Sequence, residues 1–339
     1  MKTETRFGYA LSSEEHRPLD LVRYAQRAEE VGFDFAFLSD HFHPWLDRQG
    51  QSPFAWSVLG GIATTTRRLI VGTGVTALSL RIHPAILAQA AATVGDMLPG
   101  RFWFGVGTGE NLNEHVTGDA WPEHSQRAAM LEEAIEIIRK LWTGELVDYH
   151  GDFYDVVRAR IYTLPKELPP ILVAASGPES AELAGRIGDG LICTAPEKEL
   201  VSAFRAGARD SGREASGDRP RVGQVTVCWA EDEASARRTA REWWPTAALP
   251  GDNSQELPLP SSFESLAEIV TEDQVAEKIS CGPDPEAHLE KIRPYIRAGF
   301  DHVYIHQVGP DQRGFLAFAE KELLPRLTGT ASTRRKAAA

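Results

Sequence analysis

The chain has 339 residues, 42 % of them hydrophobic and 25 % charged, the balance of an ordinary globule with enough length for a large core. With 48 acidic against 36 basic side chains the net charge is −12, which argues against a nucleic-acid-binding face. Three scattered cysteines (Cys193, Cys228, Cys281) form no C-x-x-C pair, and no apolar run reaches the length of a membrane span, so zinc, disulfide and membrane classes are not signalled.

The opening "MKTETRFGYA" lacks the apolar stretch of a signal peptide, which together with reduced thiols predicts a cytoplasmic protein with no membrane partner. From there short apolar runs alternate with longer amphipathic ones. "RFGYA" precedes a helical pattern over 19–31, "FDFAFLS" one over 56–65, and "RLIVGTGV" one over 84–97 that opens on a proline suited to a first helical turn. "RFWFGVGTG" precedes the clearest helix, 125–142; "PILVAAS" precedes 179–187 and "GDGLICT" precedes 197–208. "RVGQVTVCWA" and "HVYIHQVG" precede patterns over 232–244 and 312–323. Eight continuous apolar strands, each followed by a helix, predict a (β/α)8 TIM barrel. An open doubly wound sheet is the competing architecture, but the first strand lacks the glycine-rich turn usual there. Residues 1–328 read as a single domain with insertions near 146–156 (a hairpin turning at His150-Gly151) and 246–270 (a long loop), and 329–339 as a disordered tail.

In such a barrel the loops after the strands share one rim. They bring Ser12, Ser13 and Glu14 from the first strand, Asp40, His41, His43 and Trp45 from the second, and Gly72 to Thr76 from the third. The fourth adds Gly105 to His115, the fifth Ala175 to Ser180, the sixth Thr194 and Lys198, the eighth His306 and Gln307. An imidazole titrates near neutrality, and a carboxylate beside apolar walls, for which Phe42, Trp45 and Trp121 are candidates, can be tuned; Asp40, His41 and Glu110 are therefore expected to face one substrate. Repeated glycines in "GTGV", "GVGTGE" and "ASGP" favour a flat ligand lying close to backbone, and Pro178 opens a helix whose free amides suit a phosphate. His115, His124, His150 and His288 read as surface residues, and no paired spacing supports a metal site.

These stretches resemble the luciferase-like flavin and deazaflavin oxidoreductases, and within them the coenzyme F420-dependent glucose-6-phosphate dehydrogenase family. The likeness runs from "FGYALSSEE" to "DQRGFLAFAEKELLPRL" and is sharpest in "SDHFHPW", "PGRFWFGVGTGENLNE", "TGDAWPE", "AGRIGDGLICT" and "GPDQRGFL". It implies a barrel that binds F420, a deazaflavin hydride carrier that does not use oxygen, at the rim. It implies cofactor contacts at Asp40, Gly107, Thr108, Asn113, Ser176, Gly177, Glu179 and Ser180, with Gly74 and Val75 at a bulge and Thr76 and Ala77 beside it. The acid–base pair carries over to His41 and Glu110, with Trp45 and Glu14 nearby; the residues leave open which is the base, and His41 is favoured. The implied substrate is a sugar phosphate such as glucose-6-phosphate, its phosphate held by Thr194, Lys198 and Lys278. A third cation expected within "PGDNSQELPLP" has no lysine or arginine to fill it. An unphosphorylated sugar or another secondary alcohol therefore stays open, as do, more distantly, an FMN-dependent monooxygenase and a non-catalytic F420 carrier. The same resemblance implies a homodimer.

Overall fold

The computed structural model describes residues 5–213, 219–249 and 253–329. The strands are β1 (Arg6–Leu11), β2 (Phe35–Leu38), β3 (Ile70–Thr73), β4 (Thr76–Ala77), β5 (Phe102–Gly107), β6 (Val147–His150), β7 (Asp155–Ala159), β8 (Ile171–Ala174), β9 (Gly190–Cys193), β10 (Arg221–Cys228), β11 (Ser280–Cys281) and β12 (His302–Gln307). Eight of them close a parallel barrel in the order β1–β2–β3–β5–β8–β9–β10–β12, with β12 returning to β1. These are the eight apolar runs of the sequence, and closure rules out the open doubly wound sheet.

Alternation of side chains along each strand sorts the core into two layers. On β2, Phe35 and Phe37 point inward and meet Trp103 and Tyr304 across the barrel axis, while Ala36 and Leu38 pack outward under the helices. The interior is tight enough that a Cβ at Gly105 would stand 1.9 Å from the carbonyl oxygen of Thr73, so only glycine lets β3 and β5 approach there. β3 is interrupted at Gly74-Val75, which are joined by a cis peptide bond, and resumes as β4 against β5.

The outer layer consists of α1 (Pro18–Val31), α2 (Ala55–Thr65), α3 (Pro84–Met97), α4 (Asn111–Glu114), α5 (His124–Leu141), α6 (Pro178–Ile187), α7 (Lys198–Asp210) and α8 (Glu233–Trp243), each set in a crossover between neighbouring strands. Proline occupies the first turn of α1, α3 and α6, where its missing N–H costs nothing, and Gly32 ends α1 in the left-handed conformation.

The long crossover from β10 to β12 is more structured than its proline-rich sequence implies. It holds α9 (Asn253–Glu256), α10 (Pro260–Ala267), α11 (Glu272–Lys278) and α12 (Pro285–Ala298). Caps explain two of these starts: Thr271 and Gln274 form a reciprocal capping box, and the Asp284 carboxylate accepts the Glu286 amide hydrogen. The expected loop over 246–270 lies outside the described residues at 250–252. The insertion near 146–156 is the hairpin β6–β7, turning over Gly151–Tyr154. The last helix, α13 (Gln312–Phe318), loosens into a π turn over Ala319–Leu323 and is followed by the short α14 (Leu324–Leu327). Of the expected tail only Gly329 is described.

Two histidines depart from the surface reading. His288 sits on the inner face of α12 with Leu289, Ile292 and Tyr295, fully buried, its Nε2 2.9 Å from the Gly282 carbonyl. His115 is half-buried and stacks on His43, its Nδ1 2.6 Å from the Asn111 carbonyl. His124 and His150 are exposed.

Candidate active site

The C-terminal ends of the barrel strands open into a cavity of about 1120 Å³. Its chemistry concentrates where the loops after β1, β2 and β5 meet. Glu14 is 3 % exposed, and its Oε2 accepts from the Ser39 hydroxyl at 2.6 Å and the Ser12 hydroxyl at 3.1 Å. Its Oε1 lies 3.4 Å from His41 Nε2. Burial alone would push this carboxyl up; the His41 charge and the Ser39 hydroxyl outweigh it and hold the group below the usual range, so Glu14 is an anion at neutral pH.

Asn113, on the single turn of α4, organises the pair. Its Oδ1 accepts the amide hydrogens of Phe42 at 2.8 Å and His43 at 3.1 Å, which fixes the orientation of the amide. Its Nδ2 therefore faces Glu110 Oε2 and His41 Nδ1, each at 3.2 Å. His41 Nδ1 also stands 3.3 Å from the His43 carbonyl, so it has both a donor and an acceptor within reach. Glu110 occupies the position before the first residue of α4, with extended backbone, and its carboxylate caps no backbone amide of that helix. Trp45 packs on the His41 ring at 5.2 Å and is braced edge-on by Phe263 of α10.

Glu14, His41, Trp45 and Glu110 all line the cavity, as do Gly74, Val75, Gly107, Thr108, Ser176, Glu179 and Ser180 among the expected cofactor contacts. Asp40, Thr76, Ala77, Asn113 and Gly177 do not line it. Asp40 is buried, one carboxylate oxygen accepting from Thr76 Oγ1 at 2.7 Å and the other from Arg81 at 2.9 Å. Of the substrate candidates, Thr194 and Lys278 line the cavity, whereas Lys198 begins α7 exposed and outside it. Phe42 is 52 % exposed and Trp121 covers Arg127, so only Trp45 of the three expected aromatic walls faces the cavity.

Sequence reading missed several lining groups. Lys291 of α12 reaches the cavity with its ammonium 2.7 Å from the Glu277 carbonyl; it belongs to a helix that carried no rim signal. The floor holds Tyr304, whose hydroxyl donates to Gln224 Oε1 at 2.6 Å, so that Gln224 Nε2 faces His306 Nδ1 at 3.4 Å. The alternation of inward residues on β10 and β12 is the signal that would have found Gln224 and Tyr304; His306 was already expected at the rim. Cys193 also lines the cavity, but burial pushes its thiol up to about 12, which removes it as a nucleophile at neutral pH. Among the described residues no group of three or more His, Cys, Asp or Glu side chains could hold a metal ion.

Residues 1–302 match the model of the family described as luciferase-like monooxygenase. The chain belongs to that family. Within the luciferase-like family it is 40 % identical over 328 residues to an F420-dependent glucose-6-phosphate dehydrogenase of Nakamurella multipartita, covering 95 % of this chain and 96 % of that one. It is equally 40 % identical over 333 residues to the enzyme of that name from Microbacterium testaceum, covering 96 % and 98 %. Among solved structures of luciferase-like fold, an F420-dependent secondary alcohol dehydrogenase in complex with an F420–acetone adduct superposes with TM-score 0.86 at 31 % identity, over 94 % of this chain and 98 % of that one. The F420-dependent tetrahydromethanopterin reductase from Methanopyrus kandleri shares the fold, with TM-score 0.77 at 22 % identity over 96 % and 99 %.

Proposed function

We propose that the protein is an F420-dependent dehydrogenase that oxidises the C1 hydroxyl of a sugar phosphate, glucose-6-phosphate or a related sugar-6-phosphate. The observation that carries this reading is the union of His41 with Glu14 directly and with Glu110 through Asn113, in a cavity also lined by Gly74, Gly107 and Gly109. The residues fit the cofactor. Glycine backbone leaves room for a flat ring, and the Ser176 hydroxyl and the first-turn amides of Glu179 and Ser180 at the start of the ten-residue α6 suit an anionic tail. F420, when bound, supplies a deazaflavin ring that accepts a hydride.

The chain's own groups manage the protons. His41, set between the Asn113 amide at Nδ1 and the Glu14 carboxylate at Nε2, takes the substrate's hydroxyl proton. The resulting imidazolium is stabilised by the Glu14 anion at 3.4 Å. Glu110, oriented by the Asn113 amide, supplies or balances a proton on the ring side. Thr194, Lys278 and Lys291, all lining the cavity, form a polar and cationic group suited to a phosphate, Lys291 being a cation outside the segment where a third was expected. A second reading, an unphosphorylated secondary alcohol, is favoured by the placement of Lys198 outside the cavity and by the likeness to the secondary alcohol dehydrogenase.

Anaerobic mixing with glucose-6-phosphate, glucose and 2-propanol, followed by loss of oxidised-F420 absorbance, separates the two readings. His41→Ala and Glu110→Gln should each lower kcat by about 10²–10⁴-fold; near-normal turnover in both would overturn the acid–base assignment. In this reading residues 1–328 act as one cytoplasmic domain. Exposed Phe54 and Ile86, at the same end of α2 and α3, support a homodimer that light scattering would detect.

A further inference from the structure

Behind the cavity wall, one guanidinium joins the two loops that carry the acid–base pair. Arg81 lies in the segment between β4 and α3 with its side chain 8 % exposed. Its Nη2 donates to Asp40 Oδ1 at 2.9 Å and to the Asp40 carbonyl at 3.3 Å. Its Nε donates to Glu114 Oε1 at 3.4 Å. Glu114, fully buried, turns its other oxygen to the amides of Leu80 at 3.1 Å and Arg81 at 2.8 Å and to the Ser79 hydroxyl at 3.1 Å. None of Asp40, Arg81 and Glu114 lines the cavity. Asp40 is the residue before His41, and Glu114 lies one helical turn after Glu110, its amide donating to the Glu110 carbonyl at 3.2 Å. The positive charge is stabilised more by the two carboxylates than it is opposed by burial.

We infer that Arg81 is a positioning residue that sets the separation of His41 and Glu110, gripping the neighbour of each through a buried carboxylate–guanidinium–carboxylate bridge. This rests on the functional reading for its catalytic consequence, though the bridge itself is a property of the chain. The planar fork of arginine is what permits it: Nε and Nη2 point to different carboxylates at once, which a lysine ammonium on a single stem cannot do. A displacement of about 1 Å in such a site costs on the order of 10²-fold in rate while leaving binding contacts elsewhere intact.

The test uses Arg81→Lys, and Arg81→Met combined with Glu114→Gln, which removes the guanidinium without leaving both carboxylates unbalanced. In the ligand-free protein, amide hydrogen exchange at residues 41–43 and 110–115 should quicken at least about 10-fold in the double variant, with the barrel strands unchanged. Turnover should then fall about 100-fold in the double variant and about 10-fold in Arg81→Lys, with KM and F420 affinity within about threefold of the parent. Unchanged exchange in both loops, or looser exchange with kcat within threefold of the parent, overturns the inference. A parent protein that reduces no F420 with any alcohol would refute the functional reading alone, and the exchange result would still decide whether Arg81 holds the two loops.

Discussion

Replacing Asn113 by aspartate tests the proposed wiring with little change of shape. The accepting oxygen survives, so the amides of Phe42 and His43 keep their partner, but the donating nitrogen that faces Glu110 and His41 becomes a second oxygen. At the 3.2 Å seen for Asn113–Glu110, two like charges in an effective dielectric of about 20 repel by about 5 kcal/mol, more than three pKa units. One of the two carboxyls therefore stays protonated at neutral pH. The other lies 3.2 Å from His41 Nδ1 and favours the imidazolium before substrate arrives. The base is then charged in advance and Glu110 shares its proton with a neighbour, so kcat should fall about 10²–10³-fold, while the melting temperature moves by only a few degrees. Asn113→Ala gives the opposite balance of effects. It strips both amides of their acceptor at about 0.5–1.5 kcal/mol each, and its loss of stability should exceed that of the aspartate variant. Calorimetry and anaerobic stopped-flow between pH 6 and 9 measure both. An aspartate variant within threefold of the parent rate across that range would refute the reasoning.

The other predictions concern the two ends of the cavity and its charge. Lys278→Met and Lys291→Met should each raise KM for a sugar phosphate about 10–100-fold, the value of a charge-assisted bond, and leave KM for an unphosphorylated alcohol unchanged. Glu14 is held below its unfolded value, so its stabilisation is present above about pH 4.3 and is lost as pH falls through the lower folded value; Glu14→Gln should flatten the melting-temperature curve in that acid window. Arg127, buried against Trp121, donates to the Pro122 carbonyl at 2.6 Å and to Gln255 of α9, a cavity-lining residue, at 3.1 Å; Arg127→Met should release Gln255 and raise KM with kcat little changed.

The barrel was legible because its strands are buried on both faces and so appear as unbroken apolar runs, and proline or glycine marks several helix ends. The stretch over 246–270 was not, because α9 and α10 are short, with a proline-rich and polar composition that reads as loop. His288 misled for a related reason: a histidine in a charged stretch looks solvated, and only the inward face of α12, completed by Leu289, Ile292 and Tyr295, shows it is core. At the site, the rim rule located His41, Glu14 and Glu110 because strand ends are covalently tied to the rim. It could not say which rim residues turn inward. Asp40 turns back to Arg81, and Lys198 faces solvent, because local pairing and helix phase decide those directions.

The doublet Glu14-Glu15 shows how closure of the sheet converts sequence adjacency into two separate contacts. β1 lies between β2 and β12, so residues just past its end can reach toward either neighbour. Glu14 turns to His41 after β2, and Glu15 turns the other way, accepting the Gly309 amide hydrogen at 2.8 Å with its second oxygen 3.8 Å from His306 Nε2. Two like charges on consecutive residues would repel in an open loop. Here each is directed to its own imidazole, so each flank of β1 carries a carboxylate–histidine pair, one beside Trp45 and the other beside Trp244. An open sheet with β1 at its edge would supply only one such neighbour, so the arrangement follows from strand order as much as from the choice of residues.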